Sequence, residues 1–178
     1  AQDQLERRSS AEALLATVER FDDLAREMGT EPTDAWVEIL CLGSMAGFTM
    51  GDRPRARALA VRAIDLSRSV PDSVAFGRAV SMLALSAGFG LDPDFLSLLP
   101  EALDRAVPGS PEHVALLSQE LLVATFIGSA DVSEKGPSLI QLAEQIGDEQ
   151  SLITATASVA CAGQAAMPAV LTLHYSDL

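Results

Sequence analysis

The sequence predicts an all-α fold in which antiparallel helical hairpins stack as an α-solenoid of about eight helices. The first observation behind this is an internal repeat. Segments 23–29, 65–71, 102–108 and 141–147 share one pattern, with leucines at 24, 66, 103 and 142, spaced by 42, 37 and 39 residues. Each leucine is followed four positions later by an apolar residue (Met28, Val70, Val107, Ile146) and then by Gly or Pro, the stop signal of a helix end. The second is composition: 48% of residues are apolar but only 4% aromatic, and an Ala/Leu/Val core favours close helix packing over sheet. The third is the lack of strand-like alternation before the last few residues.

Each element can be placed in turn. The first helix is expected from Ser9 or Ser10 to Met28, with Leu14, Val18, Phe21, Ala25 and Met28 as its apolar stripe and Gly29 as its stop. Thr33 or Pro32 opens the second, to Met50, which is apolar on most sides (Trp36, Val37, Ile39, Leu40, Leu42, Met45, Phe48) and so should lie inside. Gly51-Asp52-Arg53-Pro54 is a tight join to a third helix over 54–70. Pro71-Asp72-Ser73 then leads into a fourth, 74–89, and Asp94 into a fifth, to Val107, with Pro100 near its start or at a kink. Ser110-Pro111 caps and opens a sixth helix reaching Phe126. Residues 128–136 read as a looser connection, 138–146 as a short helix and 151–167 as the last long one. The repeat domain is thus 1–167, and the tail 168–178, with Val170, Leu171, Leu173 and Tyr175, suits a strand or an irregular arm. Helices 11–28, 54–70, 94–107 and 138–146 are amphipathic and belong to an outer layer. Those at 33–50, 73–89, 111–127 and 151–167 are more apolar and belong to the inner, concave layer.

Charge narrows the function. Twenty-five acidic residues against 12 basic ones give a net charge of −13, which repels phosphate backbones and anionic membranes, so neither nucleic acid nor membrane is expected as a partner. The stretch 152–173 has no charge, but it is mostly alanine with hydroxyls, Gln164 and Pro168, and a buried helix explains it better than a membrane span. Cys41 and Cys161 lie in apolar helical patterns and read as buried free thiols. The first residues, Ala1-Gln2-Asp3-Gln4, carry no signal-peptide pattern, and a start without Met so close to a helix suggests a segment of a longer protein. A cytoplasmic location is the expectation.

No catalytic or metal-ligand spacing appears. His113 and His174 are isolated, and Gly88-Phe89-Gly90 lacks the strand, third Gly and Lys of a phosphate cradle. No cofactor is expected. Asp22-Asp23 reads as a solvated helix face. Glu38 and Arg78 are each a lone charge in an apolar inner helix. An end-on polar contact or an inter-helix salt bridge is the favoured explanation and a place in the groove the alternative. Trp36 and Arg78 fall at one offset, seven residues after the stop residues 29 and 71, and both types anchor interfaces; for a lone Trp, however, the core is the favoured position. Ser81, Ser86, Thr125, Thr154, Thr156 and Ser158 suit close helix packing better than a ligand pocket. Trp36, Glu38, Arg78, Gln119 and Thr154 are the candidate binding residues.

Residues 52–167 resemble the tetratricopeptide-like helical-repeat region of large, mostly actinobacterial ATP-dependent regulators, the LuxR-type activators and related ATPase–cyclase signalling proteins. The likeness rests on Ala102-Leu103-Asp104-Arg105-Ala106-Val107-Pro108, on Leu116-Leu117, on Leu142-Ala143-Glu144-Gln145-Ile146-Gly147-Asp148 and on Leu152. The early Trp, Leu-Gly and Tyr of tetratricopeptide units are absent, and Glu144 stands where the other copies have Arg. The resemblance implies a non-catalytic signal-input scaffold in transcription regulation or signalling, receiving a protein partner or another domain of its own polypeptide. The competing reading is a small-molecule sensor with an inducer pocket between inner helices; an α-helical enzyme is the third.

Overall fold

The computed structural model describes the backbone of residues 2–87, 92–128 and 132–176, and side chains between 8 and 164 within those ranges. It is all-helical, with α1 (Gln2–Glu27), α2 (Asp34–Met50), α3 (Arg53–Ser69), α4 (Phe76–Ser86), α5 (Pro93–Arg105), α6 (Pro111–Phe126), α7 (Val132–Ile146) and α8 (Glu149–Ser176). The chain divides into two compact units, Ala1–Gly88 with Asp92–Leu98, and Phe89–Leu91 with Leu99–Leu178.

The boundaries follow from local chemistry. Gly29 takes φ +63°, and Thr30 N–H donates back to the Ala25 carbonyl at 2.9 Å, so α1 stops in a left-handed turn open to glycine. The Thr33 hydroxyl accepts from Trp36 N–H at 3.3 Å and starts α2. Gly51 (φ +81°) ends α2, and the Asp52 side chain next to it accepts from Arg55 N–H at 3.3 Å to start α3. Ser110 does the same for α6 through His113 N–H, 3.1 Å, with Pro111 in its first turn. Asp148 accepts from both the amide and the hydroxyl of Ser151 at 2.7 Å at the start of α8.

Four boundaries differ from the sequence reading. α1 begins at Gln2 and α7 at Val132, so both run further toward the N-terminus than their stripes suggested. Pro137 is tolerated inside α7 and Pro100 inside α5. α4 starts at Phe76, after Asp72 has taken φ +51° in the Pro71-Asp72 turn. α8 continues through Pro168 to Ser176, so the tail is helix rather than a strand or irregular arm. The expected end of the fourth helix and the Gly88-Phe89-Gly90 stretch lie outside the described residues.

In the first unit α1 packs on α2, α2 on α3 and α4, and α3 on α4. α1 ends at Glu27 and α3 at Ser69, while α2 starts at Asp34 and α4 at Phe76, so one shift of 42 residues maps both boundaries. The two connections are also joined: Asp34 accepts from Ser73 Oγ at 2.5 Å and from Val74 N–H at 3.3 Å. Glycine sets the spacing of the helices. A Cβ on Gly43 would lie 2.6 Å from Val18 Cγ1 of α1 and 3.0 Å from Leu59 Cδ1 of α3, and one on Gly47 would lie 3.1 Å from the Ala56 backbone. Ser44 Oγ donates to the Ala56 carbonyl at 2.8 Å in the same contact. Around this seam Leu15, Val37, Leu40, Ile64, Phe76, Val80, Leu83 and Phe95 form the core.

In the second unit α6 packs on α7 and α8, and α7 on α8. Val114, Leu121, Leu122, Leu139, Ala143, Ala155 and Ala162 form its core, with Leu117, Val132, Leu142, Ile146 and Val159 around them.

The α1 stripe expected to be buried is divided. Val18 and Ala25 are buried, in line with Leu15 and Asp22, whereas Leu14, Phe21 and Met28 are exposed together with Leu24. α1 is covered along the line 11, 15, 18, 22 and 25, one residue round from the more hydrophobic one. α2 also departs from its reading: Leu42 and Met45 are exposed rather than inside.

Candidate functional site

The first unit holds two polar arrangements. One is buried. Asp22, expected on a solvated face, is buried because three donors converge on it: Trp36 Nε1 at 2.9 Å, Arg26 Nε at 3.1 Å and Arg62 Nε at 3.4 Å. The Arg62 guanidinium also lies 5.8 Å from the centroid of the Trp36 ring, and Phe21 meets that ring edge-on at 6.0 Å. A carboxylate can leave water only with such compensation. Trp36 is therefore committed to the core through its N–H and its ring contacts. Beside it, Glu19 takes Arg55 in a two-pronged pair at 2.5 and 2.9 Å. Glu19, Asp22, Asp23, Arg26, Arg55 and Arg62 line a hollow of about 560 Å³ between α1 and α3. Its acids and arginines are paired with one another, so its chemistry is structural.

The second arrangement faces solvent. Arg78 Nη1 of α4 meets Glu38 Oε2 of α2 at 2.9 Å, so of the two explanations favoured for these lone charges it is the inter-helix salt bridge, with each the other's partner. Both side chains are part-exposed, so their mutual stabilisation is small, on the order of 0–1 kcal/mol. One and two turns further along α2, at i+4 and i+7 from Glu38, come Leu42 and Met45, 46% and 39% exposed. The surface is an ion pair set beside an apolar strip. The hydrophobicity of α2 on most sides hid this strip from sequence reasoning; its 38, 42, 45 spacing was the available signal.

Glu38 also acts on Cys41, whose thiol is pushed up to about 12, first by burial and then by the Glu38 charge. It is protonated and inert at neutral pH. Cys161, expected to be buried, is exposed, because α8 buries the line Ser151, Ala155, Ser158 and Ala162 instead.

The other two candidates belong to the second unit, Gln119 on α6 and Thr154 on α8. Gln119 is half-buried, and Thr154 Oγ1 accepts a long bond from Gln150 Nε2, 3.5 Å, within its own helix. The structure brings Glu38 and Arg78 together, with Trp36 buried nearby in the same unit; Gln119 and Thr154 belong to the other unit. His113 is a capping residue, its Nδ1 accepting from Gly109 N–H at 3.1 Å; the His174 side chain lies outside the described residues. The second unit has its own hollow, about 400 Å³, between α6 and α7. Leu117, Leu121, Leu139 and Leu142 line it, with Glu134 and Lys135 among its polar residues.

Among the described residues no group of three or more His, Cys, Asp or Glu is placed to hold a metal ion, and no helix is long and apolar enough to cross a membrane. No family model, curated protein or solved structure matches the chain.

Proposed function

We propose that this chain is a non-catalytic interaction scaffold, a tetratricopeptide-like α-solenoid that receives a protein segment on its inner helices. Its role is cytoplasmic signal input to a larger transcription or signalling regulator. The observation that carries this reading is the exposed strip Leu42 and Met45 on α2, flanked by the Glu38–Arg78 pair. Apolar side chains left in water on a helix otherwise packed on three neighbours are a cost that a partner removes, and an adjoining ion pair supplies orientation. Packing of α2 on α4 and α6 on α8, inner helix on inner helix within each unit, supports the solenoid arrangement.

The test is selection of binding peptides from a displayed library on the intact chain. Peptides bound through this strip lose at least about tenfold in affinity to Leu42→Glu and Met45→Glu. Selected peptides that bind both variants as well as the parent overturn the reading.

A second reading is supported by the hollow between α6 and α7. Its volume of about 400 Å³ falls in the range of small-molecule sites. It lies between an inner and an outer helix, not between two inner ones. A metabolite that raises the melting temperature of the parent chain but not of Ser138→Trp, at an exposed position of the same lining, would favour this reading.

A further inference from the structure

The shift of 42 residues that maps α1 onto α3 makes α3 a guide to α1. Val18 and Ala25 correspond to Ala60 and Ser67, and all four are buried. Leu14, Thr17, Phe21 and Leu24 correspond to Ala56, Leu59, Ala63 and Leu66, and here the helices part. Leu14 is 42% exposed against 0% for Ala56, and Leu24 is 52% exposed against 4% for Leu66. The partners explain the split. Val18 packs against Gly43 of α2, the helix that follows α1, whereas Ala56 and Leu59 pack against Gly47 and Gly43 of α2, the helix that precedes α3. The exposed face of α1, spaced 14, 17, 21, 24, is therefore the face on which a preceding inner-type helix sits at α3. A covering helix must be apolar and must offer small residues where α2 has Gly43 and Gly47.

Among the described residues, α8 carries a further surface of that kind. Between Glu149 and the last described side chain, α8 has no charged residue, yet Ile153, Thr156, Ala157, Ala160 and Cys161 are exposed. A Cβ added to Gly163 would meet nothing within 4 Å, whereas Gly43, Gly47 and Gly136 are each filled by a neighbouring helix. Ile153, Thr156, Ala160 and Gly163 repeat the three-and-four spacing of the α1 face. The exposed sides of the intervening outer helices instead carry charge, Arg53, Asp65 and Arg68 on α3, Asp94 and Asp104 on α5, and Glu134 and Glu144 on α7.

We propose that α1 of one copy packs on α8 of a second copy, its large apolar side chains against the small residues of α8, as α3 packs on α2 within the chain. The contact is heterologous, so each copy keeps one unused α1 and one unused α8. Sedimentation velocity of the full chain should show concentration-dependent association at tens of micromolar. Leu24→Glu and Ala160→Glu, both at exposed positions, should each weaken it by about tenfold or more without changing the melting temperature. An equimolar mixture of the two variants should then form a dimer and nothing larger, since Leu24→Glu keeps a sound α8 and Ala160→Glu a sound α1. A parent chain that stays monomeric at about 200 µM overturns the proposal. So does association that Leu24→Glu abolishes and Ala160→Glu leaves intact, which would mean that α1 pairs with α1.

Discussion

The two units pack their helices by different means. In the first, glycine sets the contacts of α2 with α1 and α3: Val18 and Leu59 both close on Gly43, and Ser44 bonds the α3 backbone. Charge is drawn into the same unit, with Asp22 buried beneath Trp36, Arg26 and Arg62. In the second unit leucine and alanine do the work, the helical Gly136 has Val159 as its nearest neighbour, and a hollow of about 400 Å³ opens between α6 and α7. Tight contact needs a glycine at the crossing and fixes the neighbours; leucine-lined contact leaves space and tolerates change.

The comparison breaks most severely at Trp36. Trp36→Ala removes a buried ring and leaves the Asp22 carboxylate short of a donor, so it should cost about 4 kcal/mol in urea unfolding. A loss below about 1 kcal/mol would show that the polar cluster is not holding α1 to α2. The glycines sharpen the comparison. Gly43→Ala should destabilise by roughly 1–2 kcal/mol, because its methyl collides with two side chains and the helix-propensity gain of about 1 kcal/mol offsets only part of that. Gly136→Ala, 3.0 Å from a single Val159 methyl, should lie within about 0.5 kcal/mol of the parent. Equal costs at the two sites would erase the distinction.

The smallest effect concerns pH. Burial alone would raise the Asp92 carboxyl, but the N–H of Phe95, the Arg57 guanidinium at 2.5 Å and the N–H of Asp94 bring it below its ordinary 3.8. A group depressed in the folded state stabilises the fold above its unfolded value and loses that contribution as pH falls through the folded one. Asp92→Asn should therefore melt below the parent at pH 6, with the gap closing toward about pH 2. A gap independent of pH would assign the effect to the helix cap rather than to charge.

Much of this was legible in the sequence. Thr33, Asp52, Ser110 and the glycines at 29, 51 and 147 gave the helix ends because capping is a local matter, decided within four residues. For Glu38 and Arg78 a polar contact or salt bridge was legible, because a lone charge on an apolar helix has to be neutralised; that each is the other's partner was not. What was not legible depended on who the neighbours are. α1 carries two lines at helical spacing, and the less hydrophobic one, with Asp22 in it, is buried because α2 lies on that side. Leu42, Met45 and Cys161 were misplaced for the same reason, since an apolar residue on an apolar helix says nothing about which side is covered. The tail was misread because Val170, Leu171, Leu173 and Tyr175 favour strand individually, while α8 simply propagates through them.

The contrast between the two cysteines makes the chain chemically addressable without mutation. Cys41 is buried and its thiol stays protonated at neutral pH, so a maleimide dye added to the folded protein modifies Cys161 alone. That places a single fluorophore on the uncharged side of α8, where its emission reports directly on whatever comes to lie against that helix.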